Sequence, residues 1–324
     1  MRSALLLIIL LITAPPAIAD ELFGMGGVMR SRNLDADESS YSWQLEYRQH
    51  LSEHFAVSLS YLNEGHVPAH HRDGNALQLW ATRELIAKRL SLSGGIGPYY
   101  YFDTTLSAAT GSYTNDHGLG GIASLALIME TETPWLFQLR TNWVNTFGRM
   151  DTVSALAGIG YRLDVSGPPK SNGDQAESGS DVAENEITLF VGRTITNSFE
   201  SEHSTSLCLE YRRGLLKYLD WTASWIYEGD TPLVRRDGVA SQLWAVKGFN
   251  RDRIALGFGV GTYFSIDRQA GSRLNGDRLV SMIATLTGSY RLDPNWSLRT
   301  SWNRIVTNYD RDTDVIMGGV GYRF

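Results

Sequence analysis

Hydrophobic and polar residues alternate singly along most of this chain. Tyr41, Trp43, Leu45 and Tyr47 fall on one side of a stretch whose other side is Ser42, Gln44, Glu46 and Arg48. Phe55, Val57, Leu59 and Tyr61 oppose Ala56, Ser58 and Ser60, and Phe137, Leu139 and Trp143 oppose Gln138, Arg140 and Asn142. A period of two marks an extended strand with one apolar and one polar face. It predicts eight strands in the first half: about Leu22–Arg30, Tyr41–His50, Phe55–Asn63, Asn75–Glu84, Leu90–Phe102, Leu119–Glu130, Trp135–Phe147 and Thr152–Leu163.

The second half repeats the first. Leu45-Glu46-Tyr47-Arg48 returns as Leu209-Glu210-Tyr211-Arg212, Glu64-Gly65 as Glu228-Gly229, and Arg72-Asp73-Gly74 as Arg236-Asp237-Gly238. Gln78-Leu79-Trp80-Ala81 returns as Gln242-Leu243-Trp244-Ala245, and Leu139-Arg140-Thr141-Asn142-Trp143 matches Leu298-Arg299-Thr300-Ser301-Trp302. Between the copies, Val165–Glu186 is rich in Gly, Ser, Pro, Asp and Glu and reads as a flexible linker.

The C-terminus, DTDVIMGGVGYRF from Asp312 to Phe324, alternates to a final aromatic, and Asp151 to Leu163 reads DTVSALAGIGYRL. This ending resembles the closing strand of bacterial outer-membrane β-barrels. The resemblance implies an all-β, transmembrane antiparallel β-barrel protein of the small eight-stranded type, internally duplicated. It also implies that the terminal strand is recognised by the barrel assembly machinery, and that outer-membrane lipid and lipopolysaccharide surround the protein. A lipid-facing side and a polar lumen account for the alternation, and closure removes strand edges that hydrocarbon cannot satisfy. Connections alternate between short ones, such as Ser52-Glu53-His54, and longer ones, such as Ser31–Ser40, Gly65–Gly74 and Thr104–Gly118. Short turns belong in the periplasm and long loops outside. Small inward residues (Ser91, Ser93, Gly95, Gly97, Gly259, Gly261) beside large ones (Trp80, Tyr99, Arg140) suit a tight lumen. Two tandem eight-stranded barrels, residues 20–164 and 187–324, are therefore favoured over one sixteen-stranded ring.

Composition adds location. Arg2, the apolar run Ala4–Ile12 and Ala17-Ile18-Ala19 make residues 1–19 a signal peptide and the cell outer membrane the destination. Mean hydropathy is −0.20, which suits a barrel because half of each strand faces inward. The net charge of −6 argues against nucleic acid. Cys208 is the only cysteine, so no internal disulfide forms; it falls on the inward side as a small hydrophobe.

Candidate chemistry is sparse. Glu64-Gly-His-Val-Pro-Ala-His-His-Arg-Asp73 gathers His66, His70, His71, Glu64 and Asp73 at one loop. A histidine with a carboxylate can act as general base toward an ester, or the group can hold a divalent metal. The second copy replaces the histidines with Asp230, Val234 and Arg235, which favours a solvated loop, with Arg-Asp-Gly as a salt-bridged turn. The run Asn308–Asp314 reads as a self-paired hairpin tip, or as a site for Ca²⁺ or lipopolysaccharide phosphate. The inward charges Glu46, Arg48, Arg140 and Arg162 recur as Glu210, Arg212, Arg299 and Arg323 and read as a lumenal ion-pair network. No cofactor is implied. The function expected is a non-enzymatic structural or binding barrel or a narrow pore. The alternative is an acyl hydrolase acting on lipid A at the outer rim of the first copy.

Overall fold

The computed structural model describes residues 20–32, 38–87, 89–106, 112–147, 150–163, 185–198, 200–250, 252–268 and 280–324. The expected signal peptide, and the expected linker up to residue 184, lie outside the described residues.

The chain forms two compact units. The first holds β1 (Asp20–Arg32), β2 (Ser39–His50), β3 (Phe55–Val67), β4 (His70–Ile86), β5 (Leu90–Leu106), β6 (Tyr113–Glu130), β7 (Trp135–Asn145) and β8 (Asp151–Arg162). The second holds β9 (Asn185–Thr196), β10 (His203–Leu216), β11 (Leu219–Asp230), β12 (Arg235–Phe249), β13 (Ile254–Asp267), β14 (Val280–Arg291), β15 (Trp296–Val306) and β16 (Thr313–Arg323). Within each unit, strands consecutive in sequence pair antiparallel. The rings close through β1–β8 and β9–β16, giving two eight-stranded barrels and not a single sixteen-stranded one.

The alternation read from the sequence sets the two faces. Inward Trp80 and Trp244 are fully buried, and the glycine across the ladder makes room for each. A Cβ at Gly95 would lie 2.6 Å from the Trp80 ring, and one at Gly259 would lie 2.5 Å from Trp244. Cys208 is buried and inward, packed with Phe190, Ile226 and Tyr263. Outward Leu139 and Leu189 are 59% and 63% exposed.

The stretch expected as a loop from Gly65 to Gly74 is instead strand. β3 runs on to Val67 and β4 starts at His70, joined through Pro68-Ala69. The repeated Arg-Asp-Gly is likewise no turn: it lies inside β4 and β12 with its arginine buried inward. What the repeated Glu-Gly builds is a β-bulge. The β3–β4 register shifts between Asn63 and His66, and the β11–β12 register between Tyr227 and Asp230. Gly65 and Gly229 take φ of 69° and 85°, a region that L side chains avoid. A Cβ at Gly65 would also sit 2.2 Å from the Tyr41 carbonyl oxygen. Gly65→Ala should therefore cost the first barrel about 1–3 kcal/mol, measurable as a lower urea midpoint.

Candidate functional site

Each lumen is crossed by two layers of buried charge. In the middle of the first barrel, the Arg48 guanidinium donates from Nε and Nη2 to Glu46 Oε1 at 3.1 and 2.7 Å. Arg140 Nη1 and Ser58 Oγ donate to the other carboxylate oxygen. Arg140 also donates to Asn142 and Gln78, which joins β2, β3, β4 and β7 through one network. Trp80 lies beneath both guanidinium groups, 4.2 Å from Arg48 and 4.6 Å from Arg140, and donates its indole N–H to Ser58 at 2.8 Å. A charge at this depth is tolerable only when paired and hydrogen-bonded, and this layer satisfies the carboxylate on both oxygens.

The second barrel repeats the layer with a shift. Arg212 lies 4.4 Å above Trp244, and Arg299 Nη1 donates to Glu210 at 2.8 Å and Thr188 at 2.8 Å. The repeated word pairs Arg299 with Arg140, but the ladder does not. Trp135 faces Tyr161 as Trp296 faces Tyr322, so Arg299, opposite Gly319, holds the place of Gln138, opposite Gly158. One inward position nearer the short turns, Arg299 reaches Glu186, to which Arg323 Nε donates at 2.8 Å.

The layer at the long-loop end keeps the same carboxylate–guanidinium pair in both barrels. Arg72 donates to both oxygens of Glu64, at 2.5 Å from Nε and 3.0 Å from Nη2, and to the Thr152 hydroxyl at 3.2 Å. Tyr99 donates to Glu64 at 2.9 Å. Arg236 holds Glu228 at 2.5 and 2.7 Å, with Thr313 at 2.9 Å, and adds the Tyr309 hydroxyl at 2.9 Å. Burial raises the Tyr309 phenol above its ordinary range. The repeated Glu-Gly and Arg-Asp-Gly words thus supply one carboxylate–guanidinium plug per lumen.

The bulge also divides the sequence candidates. Glu64 points into the plug. Asp73 accepts from the Tyr61 hydroxyl at 2.8 Å. His70 turns to Asp103, Nδ1 lying 3.1 and 3.2 Å from its two oxygens. His66 and His71 face each other across the ladder with ring centroids 3.9 Å apart. Partial burial pushes His66 below the ordinary imidazole value. The five candidates therefore form four separate arrangements, and no group of three or more His, Cys, Asp or Glu side chains converges on a metal position among the described residues. The Asn308–Asp314 tip satisfies itself: Asp312 accepts from the Thr307 amide at 2.7 Å, and Asp314 from Arg304 at 2.6 Å and Trp302 at 2.9 Å.

The outside of each ring is apolar and ends in aromatic belts. At the short-turn end stand Trp135 with Tyr161, and Trp296 with Tyr322, each pair 5.0 Å apart. At the loop end stand Trp43 with Tyr61, and Trp225 with Tyr227. Trp135 and Trp143 bracket β7; at ~3.4 Å per residue and a tilt of ~40° they lie about 21 Å apart along the axis, near the ~25 Å band of such barrels. Each half has the fold of a small outer-membrane β-barrel.

No protein-family model and no curated protein matches the sequence. Solved structures similar to this chain include the attachment invasion locus protein Ail of Yersinia pestis, at 12% identity and TM-score 0.36, covering 44% of this chain and 98% of that one. Neisserial surface protein A is similar at 11% identity and TM-score 0.35, with 44% and 96% covered. The CymD monoaromatic hydrocarbon channel is similar at 8% identity and TM-score 0.25, with 98% and 91% covered.

Sequence reasoning missed two members of these sites. Glu186 stands at the polar end of the expected linker, and only its pairing opposite Arg323 reveals it as a lumen residue. Asp103 escapes because its histidine lies on the neighbouring strand, in a register that the sequence does not display.

Proposed function

We propose that this protein is an integral outer-membrane component of Gram-negative type that works as a non-enzymatic structural or binding element. The observation that carries this reading is the double plug: each lumen holds a buried Glu–Arg layer at mid-height and another at the loop end. Paired, hydrogen-bonded charges at two heights of an eight-stranded ring oppose the passage of water and ions. Function then falls to the outer surfaces. The apolar exterior contacts membrane lipid. Exposed Arg235 and Arg268 at the loop end of the second barrel meet lipopolysaccharide phosphates, and β16 is the strand handed to the assembly machinery. Reconstituted in planar bilayers, the protein should give no steady conductance steps; large, persistent steps would sink the reading.

A second reading, hydrolysis of lipid A acyl esters, draws on the His70–Asp103 pair at the rim of the first barrel, an oriented imidazole of the kind a general base requires. Mass spectrometry of lipid A from cells with and without the protein decides it. Loss of an acyl chain that requires His70 would favour the enzyme, and unchanged acylation would remove it.

A further inference from the structure

The short-turn rim of the second barrel is strongly basic. Arg213 stands near the end of β10, Lys217 in the β10–β11 turn, Lys247 near the end of β12, Arg253 in the β12–β13 turn and Arg291 at the end of β14. Across the duplication they take the places of Gln49, Glu53, Arg83, Arg89 and Glu130. Residues 213–218, 247–254 and 291–295 hold six basic and two acidic residues, a net +4 with histidine neutral. The matching segments 49–54, 83–90 and 130–134 hold three basic and four acidic residues, a net −1. Both copies keep their lumenal Glu–Arg layers, so this rim changed sign independently of the interior.

The cations stand at the level of the aromatic belt. Arg213 is exposed on the outward face and opposes Trp221, whose ring meets Tyr211 at 6.2 Å. Lys217 Nζ lies 5.1 Å from the Tyr218 ring, and the Val246 amide donates to the Tyr218 carbonyl at 3.0 Å, which brings this turn beside Lys247. The Arg291 amide donates to the Arg253 carbonyl at 2.7 Å, and Arg291 opposes Ser297, next to Trp296. Of the acids at this end, Asp220 pairs with Arg212 at 3.4 Å, and Asp293 accepts from the Asn295 and Trp296 amides at 2.8 Å. Asp252 is exposed beside Arg253. Among the described residues, no carboxylate forms an ion pair with the exposed Arg213, Lys217 or Arg253. Cations at belt level lie among lipid headgroups, their stems along the apolar wall. A choline or ethanolamine lipid brings its own cation to its phosphate and leaves a net-positive rim unneutralised. A phosphodiester lipid without an amine neutralises it. We infer that this rim binds anionic phospholipid of the phosphatidylglycerol class, with Arg213 and Lys217 holding phosphate oxygens on one flank and Arg253 on the other. The inference rests on the outer-membrane reading above, which sets the short turns against the periplasmic leaflet.

The full chain is folded in detergent, and heat-modifiable gel migration shows that its barrels are closed. Equal amounts of phosphatidylglycerol and phosphatidylcholine are then added, and native mass spectrometry reads the ratio of the first adducts of each. One cation near an anionic headgroup is worth roughly 5-fold, so the parent should prefer phosphatidylglycerol by about 5-fold or more. Arg213→Gln with Lys217→Gln and Arg253→Gln should bring the ratio to about 1 and leave the barrels closed, since all three side chains stand outside the lumenal layers. The control Arg83→Gln with Arg89→Gln, on the matching rim of the first barrel, should leave the ratio unchanged. Closed barrels without a preference overturn the inference alone, as does a preference that survives the triple variant or is lost with the control. A chain that stays monodisperse without detergent overturns the outer-membrane reading, and the inference with it.

Discussion

Glu46→Ala should destabilise the first barrel by about 3–5 kcal/mol, the cost of leaving a buried charge without its partner. Among the described residues, Glu46 is the carboxylate that the Arg48 and Arg140 guanidinium groups share, and both of those side chains are at most 3% exposed. Its removal leaves two cations stacked on Trp80 with no counter-charge and strips Ser58 of its acceptor. Glu46→Gln keeps an acceptor oxygen for one arginine and should cost less. Unfolding in urea, read by protease protection of each half, separates the two barrels. The first midpoint should fall and the second should hold, since Glu210 serves its own layer. A loss under ~1 kcal/mol would mean that these arginines are hydrated in place and that the lumen is wetter than its packing implies.

Leu139→Arg is expected to cost about 2–4 kcal/mol in a bilayer, the penalty for a cation at mid-depth on a lipid-facing strand. Leu139 is outward and 59% exposed, between Trp135 and Trp143 on β7, with Leu127 and Ala157 beside it in the ladder. Phe147 is more exposed still, at 76%, but stands beyond the loop-end belt. Phe147→Arg should cost about 0–1 kcal/mol, as charges do near the interface. Similar small costs for both substitutions would show that water, not hydrocarbon, bathes the outer face.

How much the sequence disclosed follows from where each constraint acts. Within the apolar band, every second side chain is forced outward to hydrocarbon, so strands and their faces could be read directly: Phe55–Tyr61 and Trp135–Trp143 need no structure. Past the belts both faces meet polar surroundings, the alternation fades, and His70 to Gly74 looks like a loop although it is paired strand. Glu64 continues the inward phase of Ser58 and Ser60 and was legible with Arg72 as a repeated residue, but the bulge after it, which sends His66 to the other face, was not. The histidine cluster fails as a unit for the same reason: adjacency along the chain, on alternating faces, is separation in space.

The displaced Leu-Arg-Thr-x-Trp word has a consequence for how such a duplication can diverge. On the same strand pair, Trp135/Trp296 and Tyr161/Tyr322 keep one spacing between the copies, yet this word sits two residues nearer the short turns in the second barrel. An even slip carries each side chain one layer along the axis and never across the wall. Misaligned exchange between the halves, by two residues at a time, can therefore reshuffle which charges meet inside a barrel without ever turning a guanidinium out into lipid. A slip of one inside a strand would instead carry the guanidinium to the lipid side, so displacements within strands should be even. The change of offset from 164 to 161 residues between Trp80/Trp244 and Trp135/Trp296 is odd and has to be taken up between strands.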